Sequence, residues 1–145
     1  MALPTKLTLE IVTPDRALLC EEVDEVVVPG SQGEFGVLPG HTPLLSTLKV
    51  GELCYRQGQE KHYMAIAFGF VEVLPDRVTV LAQVGERAQE IDVQRAERAK
   101  QRAEQRLAQA PPQLTQVDFD IERARVALMK SLLRLQVASR ARTRV

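Results

Sequence analysis

Near residue 85 this chain changes the period of its apolar residues, and that change limits the fold more than anything else in it. Before it, Leu7, Leu9 and Ile11 alternate with Lys6, Thr8 and Glu10, the period of two that gives a strand one inward face. Thr13-Pro14-Asp15 makes a turn signal, an apolar run follows at 17–20, and the β-branched run of Val23, Val26, Val27 and Val28 ends at Pro29-Gly30. Residues 44–50 and 52–56 form two more short runs divided by Gly51, and a polar turn at 57–61 leads into 62–74. Pro75-Asp76 then precedes Val78-Thr79-Val80-Leu81 as a hairpin return. Many short strands with frequent turn signals predict a β-sandwich or barrel.

From residue 91 to 110 no β-branched run remains, and Ala, Glu, Gln, Arg and Lys dominate, all strong helix formers. Ala96, Ala99, Ala103, Leu107 and Ala110 recur at spacings of three and four, a narrow apolar stripe. Pro111-Pro112 ends that helix. Asp118 is placed to cap a second one, with Asp120 and Glu122 favourable in its first turn and Ile121, Ala124, Leu128, Leu132 and Leu135 as its apolar face. The expected architecture is mainly β: a sandwich over residues 1–87, then a two-helix hairpin over 88–145. An alanine seam buries little, at about 0.8 kcal/mol per methylene, so the hairpin is expected to be weakly held and able to open.

Charge separates the same two parts. Residues 1–89 carry 7 Lys/Arg and 12 Asp/Glu, net −5, whereas residues 90–145 carry 12 and 7, net +5. The modules should therefore meet different partners. A hydrophobic share of 45% with 26% charged residues is globular rather than disordered. No run of 18 apolar residues is present, and the N-terminus lacks a signal-peptide core, so a cytosolic location is expected. Two cysteines (Cys20, Cys54) and two histidines (His41, His62) offer neither a disulfide framework nor a zinc spacing.

Five Gly or Pro residues fall between 33 and 43, at Gly33, Gly36, Pro39, Gly40 and Pro43. They fix a shaped turn, and without a Gly-Lys-Ser/Thr ending and a following helix the stretch is not a phosphate loop. The ungapped run Gly33-Glu34-Phe35-Gly36-Val37-Leu38-Pro39-Gly40-His41-Thr42-Pro43-Leu44 resembles the signature of the epsilon subunit of F-type ATP synthases. So do 47–53, and 69–81 with Arg77 before its Val-Thr-Val-Leu; Ala67 is a small departure. The resemblance covers nearly the whole chain. It implies a ten-stranded β-sandwich followed by an antiparallel helix pair, in a non-catalytic rotor subunit of a proton-translocating synthase. The sandwich would join the gamma subunit to the c-subunit ring, with Glu34, Phe35, Gly36 and His41 at the rotor interface. The subunit would be peripheral at the cytoplasmic face of the bacterial cell membrane, meeting the membrane only through the complex. For Glu34 and His41, plain stabilisation of the turn stays open beside that role.

Ile91-Asp92-Val93-Gln94-Arg95-Ala96 matches a pattern that accompanies ATP binding in some members. Asp92, Arg95 and Arg102 share roughly one helix face, and arginine suits phosphate by its permanent charge and bidentate geometry. Glu86, Lys130 and Arg134 fall at further matching positions, Lys130 in place of an arginine and so without its fork. No cofactor is required; ATP is the expected regulatory ligand. A cap with an i,i+3 pair explains Asp92 and Arg95 equally well. ATP bridging both helices would neutralise Arg95, Arg102, Lys130 and Arg134. Without it, the extended helices would enter the catalytic head of alpha and beta subunits and block hydrolysis. Residues 121–145 suit an acidic partner there, with seven Arg/Lys and only Glu122 acidic.

Three other classes were weighed. A nucleic-acid binder would use the Arg140–Arg144 tail, but few aromatics and an acidic β part oppose it. An enzyme built on Glu34, His41 or Cys54 has no base-and-orienter constellation. A membrane-surface helix at 121–145 is basic and amphipathic enough to bind anionic vesicles in isolation.

Overall fold

The computed structural model describes residues 2–109 and 119–142 and divides the chain into two compact units, Met1–Ala88 and Gln89–Val145. The first unit has eight strands among the described residues: β1 (Leu7–Val12), β2 (Ala17–Val23), β3 (Glu25–Gly30), β4 (Gly33–Val37), β5 (Leu44–Leu48), β6 (Gly51–Gln57), β7 (Glu60–Leu74) and β8 (Arg77–Arg87). They follow the order β2-β1-β8-β7-β5-β3-β4, with β6 pairing both β3 and β7. The β1–β8 pair is parallel and all the others are antiparallel.

Alternation fills the core. Leu7, Leu9 and Ile11 of β1, Val71 and Val73 of β7, and Val78 and Val80 of β8 are fully buried. Val26, Val28, Leu53, Met64 and Ile66 complete the centre. Each such aliphatic side chain contributes roughly 1.5–3 kcal/mol on burial, so a core almost free of aromatic rings still suffices.

Eight strands stand where the resemblance implied ten, and β7 accounts for the difference. Its first part pairs with β6 (Gly51↔Ile66 to Gln57↔Glu60) and its second with β5 (Leu44↔Val73 to Leu48↔Gly69). Between them Phe68 has φ 59° and Gly69 φ 128°, a left-handed kink that turns one strand into two layers. Its partner β8 runs alongside through the kink and outlasts β1. Halving both long strands recovers the implied number.

The stretch expected as a turn from residue 33 is a strand as far as Val37. β4 forms a tight hairpin with β3, from Gly30↔Gly33 to Val26↔Val37. Only the remainder, 38–43, is loop.

One pole of the sandwich is tied by a carboxylate. Asp24, between β2 and β3, accepts from Lys6 Nζ and from the Gly58 amide (2.6 Å), and lies 3.8 Å from Arg56 Nη1. The Lys6 hydrogen bond, and then the Gly58 N–H, hold its carboxyl below the ordinary range. A depressed folded pKa gives stability above the unfolded value of about 3.9, and that stability is lost as pH falls through the folded value. Asp24→Asn should therefore lower the urea midpoint at pH 7, and the gap from the wild type should close once the pH is below that range.

The second unit holds α1 (Val93–Ala108) and α2 (Phe119–Arg142), which pack on each other. Asp92 caps α1, its carboxylate accepting from the Arg95 amide at 3.0 Å. Asp120 and Glu122 lie in the first turn of α2; the expected Asp118 cap and the Pro111-Pro112 break lie outside the described residues. Ala96 and Ala103 of α1 are buried as the stripe predicts. Of the face expected on α2, Ala124 is buried and Ile121, Leu128 and Leu135 are half-buried, but Leu132 is not. Ala124, Ser131 and Ala138, seven apart, are buried together with Val137, while Leu132 is 46% exposed. Small residues spaced by two turns on both helices let the backbones approach closely. Leucines cannot occupy that seam, so Leu128 and Leu135 flank it half-buried. Ser131 satisfies its buried hydroxyl by donating to the Leu128 carbonyl at 2.9 Å.

Candidate functional site

Two surfaces gather the residues singled out in the sequence. On the sandwich, Glu34 and Gly36 are exposed on β4, whereas Phe35 is half-buried against the core and serves packing. His41 sits in the 38–43 loop. Its Nδ1 lies 2.6 Å from the Thr42 carbonyl oxygen, an acceptor only, so Nδ1 carries a proton and donates. The loop is closed by His41 N donating to Leu38 O (3.1 Å) and pinned to the β7–β8 turn by Gly40 N donating to Pro75 O (2.7 Å). Gly40 has φ 87°, a conformation that glycine permits without strain.

Beside the loop, the outer face of β5, β7 and β8 bears large apolar groups that the sequence reading left unassigned. Leu45 is 72% exposed, Phe70 54% and Leu81 52%. Phe70 and Leu81 are direct cross-strand neighbours, and Leu45 lies diagonal to Phe70, because Thr47 is the residue opposite it. Contiguous exposed apolar groups mark interaction surfaces. The signal for them was present: Val71, Val73, Val78 and Val80 point inward, so Phe70 and Leu81 must point out.

On the hairpin, Arg95 and Arg102 are both exposed on α1, two turns apart on one face. Lys130 and Arg134 are half-buried on α2, one turn apart, and each already has a partner within the chain. Asp92 is committed to the cap. Glu86 belongs to the other unit, on β8 opposite Ala65, and is likewise engaged. Five of the six proposed nucleotide residues thus lie in the helical unit, Asp92 at its cap and the other four along α1 and α2.

Catalytic chemistry finds no support in this arrangement. Cys54 is half-buried on β6, and burial pushes its thiol up, away from the thiolate a nucleophile requires. Among the described residues no cluster of three His, Cys, Asp or Glu is placed to hold a metal ion, and no helix is long and apolar enough to cross a membrane.

Comparison with known proteins assigns both units. Residues 6–88 match the domain family described as ATP synthase, Delta/Epsilon chain, beta-sandwich domain, and residues 89–139 match its long alpha-helix domain. The chain belongs to the ATP synthase delta/epsilon family. Among relatives, an ATP synthase epsilon chain of Syntrophobacter fumaroxidans is 53% identical over 135 residues, covering 93% of this chain and 97% of its own length. An epsilon chain of Syntrophotalea carbinolica is 50% identical, covering 93% and 95%. In fold, the chain is similar to one in the Euglena gracilis mitochondrial ATP synthase (OSCP/F1/c-ring), with TM-score 0.77 at 23% identity over 99% of this chain and 84% of that one. One from the central stalk/c-ring of the Tetrahymena thermophila mitochondrial enzyme gives 0.53 at 14% identity, over 97% and 98%. Membership in the family makes the chain a non-catalytic subunit of the complex that synthesises ATP.

Proposed function

We propose that this delta/epsilon-family chain is a rotor-stalk subunit whose sandwich couples the gamma subunit to the c-subunit ring. Its hairpin limits ATP hydrolysis by extending into the alpha/beta catalytic head. ATP bound to the folded hairpin opposes that extension. The subunit is then peripheral, held at the cytoplasmic face of the membrane only through the complex.

One observation carries the regulatory half: apart from Val137, the buried positions described along α1 and α2 are small (Ala96, Ala103, Ala124, Ser131, Ala138). Such a seam buries few methylenes, so the folded and open states are close in free energy and a modest ligand or partner decides between them. Arg95 and Arg102, exposed on α1, together with Lys130 and Arg134 on α2, supply the charge that ATP would neutralise. A ligand acts here only through its differential affinity for the folded hairpin. For the rotor half, the exposed Leu45, Phe70 and Leu81 and the pinned 38–43 loop give the sandwich surfaces suited to burial in an assembly.

Calorimetric titration with ATP, with and without Mg²⁺, tests the nucleotide reading. The wild-type chain should bind, and Arg95→Ala should weaken binding about 10- to 100-fold, the worth of a hydrogen bond to a charged group at about 1.5–3 kcal/mol. Absence of heat and of any thermal shift at millimolar ATP would remove the sensor. The hairpin would then be controlled by its protein partners alone.

A further inference from the structure

The sheet has two free edges, and they are treated differently. At β2 the edge is guarded. Glu21 and Glu22 carry charge there, a register shift interrupts the ladder at Ile11/Val12, and the Gln57 amide donates to Glu21 Oε2 (2.9 Å) and to the Glu22 carbonyl (3.0 Å). Edge strands are ordinarily blunted in such ways, by charge, proline or a bulge. β4 has none of the usual devices apart from Glu34. It contains no Lys and no Pro, its register with β3 is unbroken, and it is the last strand in the order.

The direction of its main-chain groups follows from Pro29. That residue has no N–H, and its carbonyl accepts from Lys49 N at 3.1 Å on the side away from β4. The Pro29↔Glu34 pair is therefore a non-hydrogen-bonded one, and so by alternation is Val27↔Gly36. Glu34 and Gly36 consequently turn their N–H and C=O groups outward, away from β3. Gly36 adds no side chain to obstruct that edge; the nearest atom to a Cβ built there is Glu25 Oε1 at 3.8 Å. Glu34 is exposed and has no ion pair among the described residues.

We infer that the outer edge of β4 pairs with an extended backbone segment of a partner subunit, one carrying a Lys or Arg where it passes Glu34. The inference rests on the reading of residues 34–36 as an assembly face, and it adds the mode of recognition. Strand addition lets main-chain bonds at Glu34 and Gly36 supply affinity while the side chain at Glu34 selects charge. A basic segment suits the site better than a second copy of the chain, because residues 1–89 are net −5 and two such sandwiches repel.

The test uses the full chain and synthase stripped of this subunit. Gly36→Pro deletes an outward N–H without touching the β3 ladder, so the variant should melt like the wild type yet be retained by the complex about 10-fold more weakly, the upper range for one backbone hydrogen bond whose partner carbonyl is left unsatisfied. Hydrogen exchange on the wild type reads the pairing directly: the Glu34 and Gly36 amides should exchange freely in the free chain and be protected in the complex. Retention of Gly36→Pro at the wild-type level, or an unprotected Gly36 amide in the complex, overturns the edge pairing alone. If the variant fails to fold, the exchange measurement decides. Failure of the wild type to be retained would instead overturn the assembly reading, and the edge pairing with it. A dimer of the free chain that Gly36→Pro dissolves would assign the edge to a second copy and reject this proposal.

Discussion

Gly69→Ala should cost the sandwich at least about 3 kcal/mol, among the largest losses a single methyl can cause. Gly69 holds φ 128°, a conformation that side chains rarely adopt, and a Cβ there would stand 1.9 Å from the Leu81 carbonyl oxygen and 2.9 Å from Ala82 Cα. Both are backbone atoms of β8, so no rotamer change relieves the overlap. Either the ladder between Gly69↔Ala82 and its neighbours opens or the kink straightens. Straightening would bring β7 out of one layer and break its pairing with β5. The midpoint of a melt followed by circular dichroism should fall by roughly 12–24 °C, taking about 4–8 °C per kcal/mol for a domain of this size. Gly58→Ala is the control. Gly58 has φ 62° with nothing within 4 Å of a built Cβ, so it should lose only about 1–2 kcal/mol, from backbone strain alone. Equal melting of the two variants would show that the kink is not the constraint described here.

Ala103→Leu should open the hairpin while leaving the sandwich intact. Ala103 is 2% exposed and lies in the small-residue seam. Three further carbons at such a site cost about 1–3 kcal/mol by overpacking, which shifts a two-state equilibrium by roughly 5- to 150-fold. The two compact units make the effect separable. Hydrogen exchange should accelerate across α1 and α2, with the β1–β8 amides unchanged. In reconstituted synthase the proposed function then expects slower ATP hydrolysis, since it assigns inhibition to the extended state. Faster hydrolysis with an opened hairpin would reverse the assignment of the two states.

Much of this fold was legible because apolar periodicity and Gly/Pro punctuation act locally. The alternation at Leu7, Leu9 and Ile11 and the switch to alanine-rich spacing each identify an element without reference to the rest. β4 was less legible. Gly33, Gly36 and the residues that follow look like turn chemistry, and only pairing with Val26, Val27 and Val28 makes the first five residues a strand. The face of α2 was misjudged for a related reason. Counting leucines finds the most apolar side of an isolated helix, but the alanines of α1 choose small partners, and Leu132 is left outside. At the candidate site, residue types were readable and engagement was not. Asp92 reads equally as a phosphate-site carboxylate and as a cap, and its bond to the Arg95 amide shows the cap. Phe35 reads as an interface aromatic until its ring is found against the core.

The passage of β7 through both layers has a mechanical side. A sandwich of two separate sheets resists shear only through side-chain contacts, which slide. Here a single covalent strand of 15 residues crosses from the β6 side to the β5 side, with β8 hydrogen-bonded along it on both sides of the kink. Force applied to the outer face at Phe70 and Leu81 reaches the opposite end of the domain through peptide bonds, which do not creep under load. A body built this way twists little under load, the property that the proposed rotor-stalk role calls for.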